Sequence, residues 1–202
     1  MHETFVVLDF ETTGLEPSWG ARATEVAAVL VENGQIVDKF QSLTNAGVYV
    51  PSFIQELTGI TNSMISKAPP ISEVMRDFSA FIGDTPLVAH NASFDKKFLD
   101  AELDRVGRQA RQPIICSMRI ARRIYQSAPN HKLETLVRYA GIETSGGFHR
   151  ALADAEMTAR LMIKMTNDLR QNFNLDEISF DLMRKLQAMP KREVSDRLRR
   201  SC

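Results

Sequence analysis

Two carboxylates, Asp9 and Glu11, stand at the end of an apolar run, Thr4-Phe5-Val6-Val7-Leu8-Asp9-Phe10. That run is short, β-branched and aromatic, and so reads as a buried first strand. Side chains alternate along a strand, so residues two apart leave the same face of the sheet. Like charges that close repel, and burying them unpaired is costly. Either this strand emerges into solvent with two incidental acids, or a cation lies between them. Carboxylates hold hard divalent cations through oxygen, so the second alternative carries chemistry.

The segments that follow suggest how the strand is housed. Runs at 26–32 and 35–43 flank Asn33-Gly34, the strongest short hairpin signal between apolar runs. Pro51 starts a short helix that Gly59 ends, and a longer helix follows Pro69-Pro70, with Ile71, Val74, Phe78, Phe81 and Ile82 at helical spacing. Residues 86–90 form a fourth strand leading into a helix with Phe94, Phe98, Leu99 and Leu103 inward. Residues 113–116 form a fifth strand, followed by helices near 118–125 and 133–140. Gly146-Gly147 give a flexible approach to His149, and a helix runs over about 151–169. A hairpin first, then strands alternating with helices, gives an α/β fold with a mixed five-stranded sheet flanked by helices. The pattern divides the chain into a domain over residues 1–170 and an extension over 171–202. In the extension Leu175, Ile178, Leu182 and Leu186 suggest one amphipathic helix, and 191–200 a basic, mobile end.

Composition excludes several classes. The 44% hydrophobic and 25% charged content is ordinary for a globular protein. Cys116 and Cys202 form no disulfide framework and match no zinc spacing, which favours a reducing cytoplasm. The first residues lack the basic and apolar regions of a signal peptide, and no apolar run reaches membrane-spanning length. The zero net charge is unevenly spread. Residues 1–100 carry six Lys and Arg against thirteen Asp and Glu, a net −7, while residues 101–150 carry nine against four, a net +5. A metal-dependent nuclease can present an acidic pocket, because bound cations invert the local charge. Arg105, Arg108, Arg111, Arg119, Arg122 and Arg123 then either guide a nucleic-acid strand or form a solvated face.

Two further clusters join the first pair. Asp95, in His90-Asn91-Ala92-Ser93-Phe94-Asp95, opens the helix after the fourth strand, where an acid also suits the helix N-terminus. His149-Arg150-Ala151-Leu152-Ala153-Asp154 places a second acid early in another helix, with the same alternative. Five residues apart, His149 and Asp154 would lie about 140° apart on one helix, so the helix must begin after His149 for both to reach one site. Four carboxylates and a histidine reaching one end of a sheet suit a two-metal phosphodiesterase. Histidine's near-neutral pKa fits it to take a proton from an attacking water. Thr12-Thr13-Gly14 forms a tight turn whose backbone can meet a sugar or phosphate.

On these residues the chain resembles the DnaQ-like 3′-to-5′ exonucleases, the histidine-containing (DEDDh) branch of the DEDD superfamily. Residues 9–14, 90–95 and 149–154 with Ala155 match the family's three motifs in order, and Thr58-Gly59-Ile60-Thr61 falls where the family places a similar stretch. The resemblance spans about residues 4–168. In character it is nearest the epsilon proofreading subunits of bacterial DNA polymerase III. It implies an RNase H-like fold and two Mg²⁺ or Mn²⁺ ions, with Asp9 bridging both, Glu11 and Asp154 completing one site and Asp95 holding the second. It further implies that His149 is the general base, and that Thr12, Thr13, Leu15, Thr58, Ile60, Asn91 and Phe94 meet the substrate. Leu15 would wedge beside the terminal base and Phe94 pack on a nucleotide.

The implied reaction is release of nucleoside monophosphates from single-stranded or frayed DNA 3′ ends, in replication proofreading or repair. RNA trimming by the same architecture and a non-catalytic binding module are the alternatives. Residues 171–202 lack the clamp-binding peptide of polymerase-associated members, so polymerase association and a free-standing enzyme both stay open.

Overall fold

The computed structural model describes residues 4–143 and 149–199. Its sheet is built from β1 (Thr4–Thr12), β2 (Ala23–Glu32), β3 (Gln35–Leu43), β4 (Leu87–Ala89) and β5 (Ile114–Cys116), in the order β3-β2-β1-β4-β5. β2 pairs antiparallel with both β1 and β3, whereas β4 is parallel to β1 and β5 to β4. This is the mixed, five-stranded α/β sheet that the sequence pattern implies. The β2–β3 hairpin turns on Asn33 and Gly34, at φ +52° and +75°. A two-residue turn needs both positions left-handed, which Asn tolerates and Gly adopts freely.

The helices are α1 (Ser52–Thr58), α2 (Asn62–Ser66), α3 (Ile71–Ile82), α4 (Ala92–Asp104), α5 (Ser117–Ile124), α6 (Leu133–Tyr139), α7 (Ala151–Phe173), α8 (Phe180–Ala188) and α9 (Val194–Arg199). The short α2 had no signal in hydrophobic periodicity. It is started by Thr61, whose Oγ1 accepts from the Met64 amide at 3.2 Å. The Gly146-Gly147 approach lies outside the described residues.

Alternation along β1 divides the core in two. Phe5 and Val7 join a cluster with α5, α6, α7 and the C-terminal helices, while Val6, Leu8 and Phe10 join the cluster packed by α3 and α4. The sheet is therefore covered on both faces, which explains why β1 and β2 are apolar almost throughout. α7 presents Ala151, Ala155 and Ala159 to the sheet, all fully buried. Short side chains at this four-residue spacing let the helix lie close to β1 and β2, which brings its acidic start near the end of β1.

The C-terminal segment departs from the sequence reading. α7 runs through residue 170, where the domain boundary was drawn, and two helices with an intervening 3₁₀ turn replace the single expected helix. Leu175, Ile178, Met183, Leu186, Val194 and Leu198 are buried in the same cluster as β1. The expected mobile end is thus packed, at least through Arg199. Gln187 accepts a hydrogen bond from the Cys116 amide at 3.0 Å, and Arg123 donates to the Met189 carbonyl at 2.7 Å. β5 is an edge strand with unpaired backbone groups, and α8 covers it.

Candidate active site

Asp9 and Glu11 lie on the α7 face of β1, at the carboxyl end of the strand. Asp154, in the first turn of α7, meets them there, and one carboxylate oxygen from each of the three lies within 4.8 Å of the others. Asp95 approaches from the opposite layer. β4 pairs with β1 only at Val6 and Val7, so the β1 edge beyond is bare on that side. The Phe10 amide on this edge donates to Asp95 Oδ1 at 3.3 Å, holding a side chain that is 2% exposed. Asp95 thus borders the trio without joining its mutual contacts among the described residues.

The trio's electrostatics are those of a site short of positive charge. Burial, followed by the charges of Asp95, Asp154, Glu11 and Glu25, drives the Asp9 carboxyl well above the usual carboxylate range. Burial and the neighbouring acids push Glu11 up to about 8, against a small opposing pull from Arg150. Burial lifts Asp95 to about 7 despite the Phe10 hydrogen bond. Asp154 is raised too, by burial, although the His149 amide opposes it. Among the described residues no Lys or Arg forms an ion pair with Asp9, Glu11, Asp95 or Asp154. Clustered oxygen donors without a cationic partner fit hard divalent cations.

His149 precedes α7 with its backbone at φ +69°, a region that costs a non-glycine residue about 1–2 kcal/mol. Its amide donates to Asp154 Oδ2 at 2.9 Å, which ties the acid to the histidine, and the residue is exposed. The helix begins after His149, as joint action of the two residues requires. His90, the other histidine in the motifs, is structural. Its ring bridges Ser117 Oγ at 2.8 Å and the His131 carbonyl at 3.0 Å, and burial lowers its pKa to about 4.

The remaining expected contacts separate into exposed and buried groups. Leu15 is 75% exposed, which rules out a core role for it. Its carbonyl accepts from Lys97 Nζ at 3.1 Å, and Lys97 also pairs with Glu16 at 2.8 Å, so the turn is pinned to α4. Phe94 is half-buried against Phe98, with Lys97 Nζ 5.8 Å from its ring centre. Asn91 is exposed, with left-handed backbone at φ +69°. Thr12 is buried and donates to the Gly14 carbonyl at 2.7 Å, while Thr13 Oγ1 accepts from the Arg22 amide at 3.0 Å. Both threonines brace the turn internally. Thr58 and Ile60 turn their side chains inward. Thr58 Oγ1 is held by the Ile54 carbonyl and Ile60 amide, and Ile60 is fully buried with Val50 and Ile65.

Three residues escaped the sequence reading. Glu25 is fully buried on β2 directly across from Glu11. Arg150 grips it through Nε at 3.0 Å and Nη2 at 2.9 Å, and Gln41 and the Ala151 amide add bonds at 2.7 and 3.1 Å. Burial acts to raise the Glu25 carboxyl, but these hydrogen bonds outweigh it and hold it below its ordinary value. An acid inside the apolar run Ala23–Glu32 was the available signal, the same anomaly that marked Asp9. Trp19, the single tryptophan, is 85% exposed on the 3₁₀ turn Pro17–Trp19 after Leu15.

Residues 6–162 match the model of the RNase_T family, described as an exonuclease. The chain belongs to this exonuclease family. It is 43% identical over 168 residues to the PolC-type DNA polymerase III of Bacillus subtilis, a match covering 82% of this chain but only 12% of the polymerase. It is 38% identical over 167 residues to the DNA polymerase III epsilon subunit of Aquifex aeolicus, covering 82% of each chain. Among solved structures, Exonuclease X in complex with 5′-overhanging duplex DNA superposes with a TM-score of 0.72 at 26% identity, covering 91% of this chain and 99% of that one. The nuclease domain of 3′hExo, a DEDDh family member bound to rAMP, shares the fold with a TM-score of 0.70 at 22% identity, covering 83% and 93%. The chain is thus an exonuclease-family protein related to DNA polymerase III PolC-type and epsilon proteins. Its acidic cluster can bind metal. No helix among the described residues is long and apolar enough to cross a membrane.

Proposed function

We propose that this chain hydrolyses DNA from a free 3′ end, releasing nucleoside monophosphates in proofreading or repair. The convergence of Asp9, Glu11 and Asp154 at the carboxyl end of β1 carries this reading, with Asp95 and His149 at its rim. These four carboxylates would hold two Mg²⁺ or Mn²⁺ ions. When bound, such a pair polarises the phosphate and stabilises the attacking and leaving oxygens of an in-line displacement. His149 accepts the proton of the attacking water, from an exposed position that Asp154 fixes through the backbone. The 3′-oxygen of the penultimate nucleotide leaves, and the terminal nucleotide departs with a 5′-phosphate.

The Leu15 turn grips the end. It follows Glu11 within four residues, so a terminal sugar seated against the acids meets chain where a continuing strand would have to pass. Exposed Leu15 abuts the terminal base, and Phe94 and Asn91 flank the nucleotide from α4. Frayed or mismatched ends enter most readily, because freeing them costs less than unpairing a matched end. DNA as the substrate is supported by the likeness to DNA polymerase III proteins and to Exonuclease X in complex with duplex DNA. Polymerase association is a further part of the proposal, supported by those same relatives.

Digestion of end-labelled single-stranded DNA, mismatched duplex, RNA and a circular single strand with Mg²⁺ tests this reading. Mononucleotide release from linear DNA, slowed by a 3′-phosphate and absent on the circle, is expected. Cleavage of the circle would refute end-binding by the Leu15 turn.

A further inference from the structure

Two clefts are lined by most of the basic residues between 96 and 122, and their charge separates them. The larger, about 710 Å³, is lined by Lys97, Arg105 and Arg111 but also by Glu16, Asp100 and Asp104, so its charges cancel. The other, a groove of about 420 Å³, is lined by Asn91, Lys96, Ile114, Arg119, Arg122 and Gln187 among others, with no carboxylate in its wall. Lys96 is partly satisfied by Asp100 at 2.5 Å. Among the described residues neither Arg119 nor Arg122 pairs with a carboxylate, and Arg122 donates to the Met118 sulfur at 3.7 Å. The two arginines lie three apart on α5, hence on one side of it, and both are exposed.

The groove's location ties it to the acids. β1, β4 and β5 are mutually parallel, so α4 and α5 both begin at the end of the sheet where Asp9 and Glu11 lie. Asn91, in the groove wall, is one helical turn from Asp95. A strand whose 3′ end reaches the acids therefore has a cationic channel beside it on the β4–β5 side. Of the six arginines in the basic middle of the sequence, Arg123 is spent on the Met189 carbonyl, Arg105 lies near Glu102 at 3.5 Å and Arg111 on Gln109. Only Arg119 and Arg122 face this groove.

We infer that this groove, through Arg119 and Arg122, binds the phosphodiester backbone of the strand being degraded, on the 5′ side of its reacting end. The inference rests on the exonuclease reading above and adds the path of the substrate. Phosphate contacts of this kind position a strand without reading sequence, and paired cations suit them better than the balanced cleft does.

Fluorescence anisotropy of a labelled oligothymidylate in EDTA, across a salt series, measures binding without cleavage. Arg119→Ala/Arg122→Ala should weaken low-salt binding about tenfold and flatten the slope of log K against log salt by about 1.4, the value for two single-strand phosphate contacts. Arg119→Lys/Arg122→Lys should keep most of the slope, since a phosphate needs only a point charge. Arg138→Ala, which removes an exposed α6 cation elsewhere, should leave it unchanged. The p-nitrophenyl ester of thymidine 5′-phosphate has no further phosphate to bind, so the double variant should hydrolyse it at the wild-type rate. An unaltered salt slope in the double alanine variant overturns the inference. So does a loss seen with duplex but not with single strand, which would assign the groove to the complementary strand. If wild-type protein binds the strand but hydrolyses neither oligonucleotide nor ester, the exonuclease reading fails while the binding result still judges the groove.

Discussion

Arg150 closes a two-pronged ion pair on Glu25 directly beside the acidic cluster, at 3.0 and 2.9 Å. Glu25 faces Glu11 across the β1–β2 ladder, yet their states diverge: the gripped carboxyl is held low and Glu11 is pushed up to about 8. The guanidinium therefore satisfies one buried acid next to others it leaves unpaired. Because Arg150 stands between His149 and the first residue of α7, the same pair anchors the start of that helix to β2.

Arg150→Ala should destabilise the fold by about 2–3 kcal/mol. That lies below the ~3–5 kcal/mol typical of breaking a fully buried pair, because Arg150 is partly open to solvent. Arg150→Lys should recover little, since an ammonium cannot span both oxygens. Urea denaturation of the three proteins checks this, and equal stability would deny the pair its anchoring role.

Metal-free protein should lose stability as pH rises. The folded-state pKa values of Glu11 and Asp95, about 8 and about 7, lie above their ordinary values of 4.5 and 3.8. The folded state therefore binds protons more tightly than the unfolded state. That contribution is complete below about pH 4, fades as pH climbs, and is gone above about pH 8. Melting temperatures in EDTA should fall across this window and recover with Mg²⁺. Asp9→Asn should flatten the dependence, raise the metal-free melting temperature and abolish nuclease activity. A melting temperature that rises with pH in EDTA would contradict the electrostatic account.

His149→Ala should slow turnover by roughly 10²–10⁴-fold, the usual worth of a positioned general base, with little change in metal affinity. Single-turnover rates beside a calorimetric metal titration distinguish the outcomes. A matching collapse of metal affinity would make His149 a ligand instead.

Removing residues 175–202 should cost far more than trimming a tail. It strips buried Leu175, Ile178, Met183, Leu186, Val194 and Leu198 from the core and bares the β5 edge. Insoluble protein, or a melting temperature lower by more than about 10 °C, is expected, since one kcal/mol shifts a domain of this size by about 2–4 °C. A truncated protein that melts like the full chain would mean that this packing contributes little.

Much was legible in the sequence because it is local. The Asn33-Gly34 turn, the helical spacing of Ile71 to Ile82, and acids set in or beside apolar segments are patterns of neighbouring residues, and backbone geometry translates them directly into elements. The short α2 was missed because a capping threonine, not periodicity, starts it. Pairing across long sequence distance left no comparable trace. Asp154 meets Asp9 only once α7 lies on β1, Asp95 is held by an amide freed where β4 stops short, and Arg150 finds Glu25 from 125 residues away. The burial of Thr58 and Ile60, the exposure of Leu15 and the folding-back of α8 and α9 were likewise settled by packing. Local propensity and alternation determined which segments become strands and helices and where the acids sit along them. Which charges share a low-dielectric site, and which of them receive a partner, was decided by tertiary structure, because electrostatic energy depends on distance and burial in space.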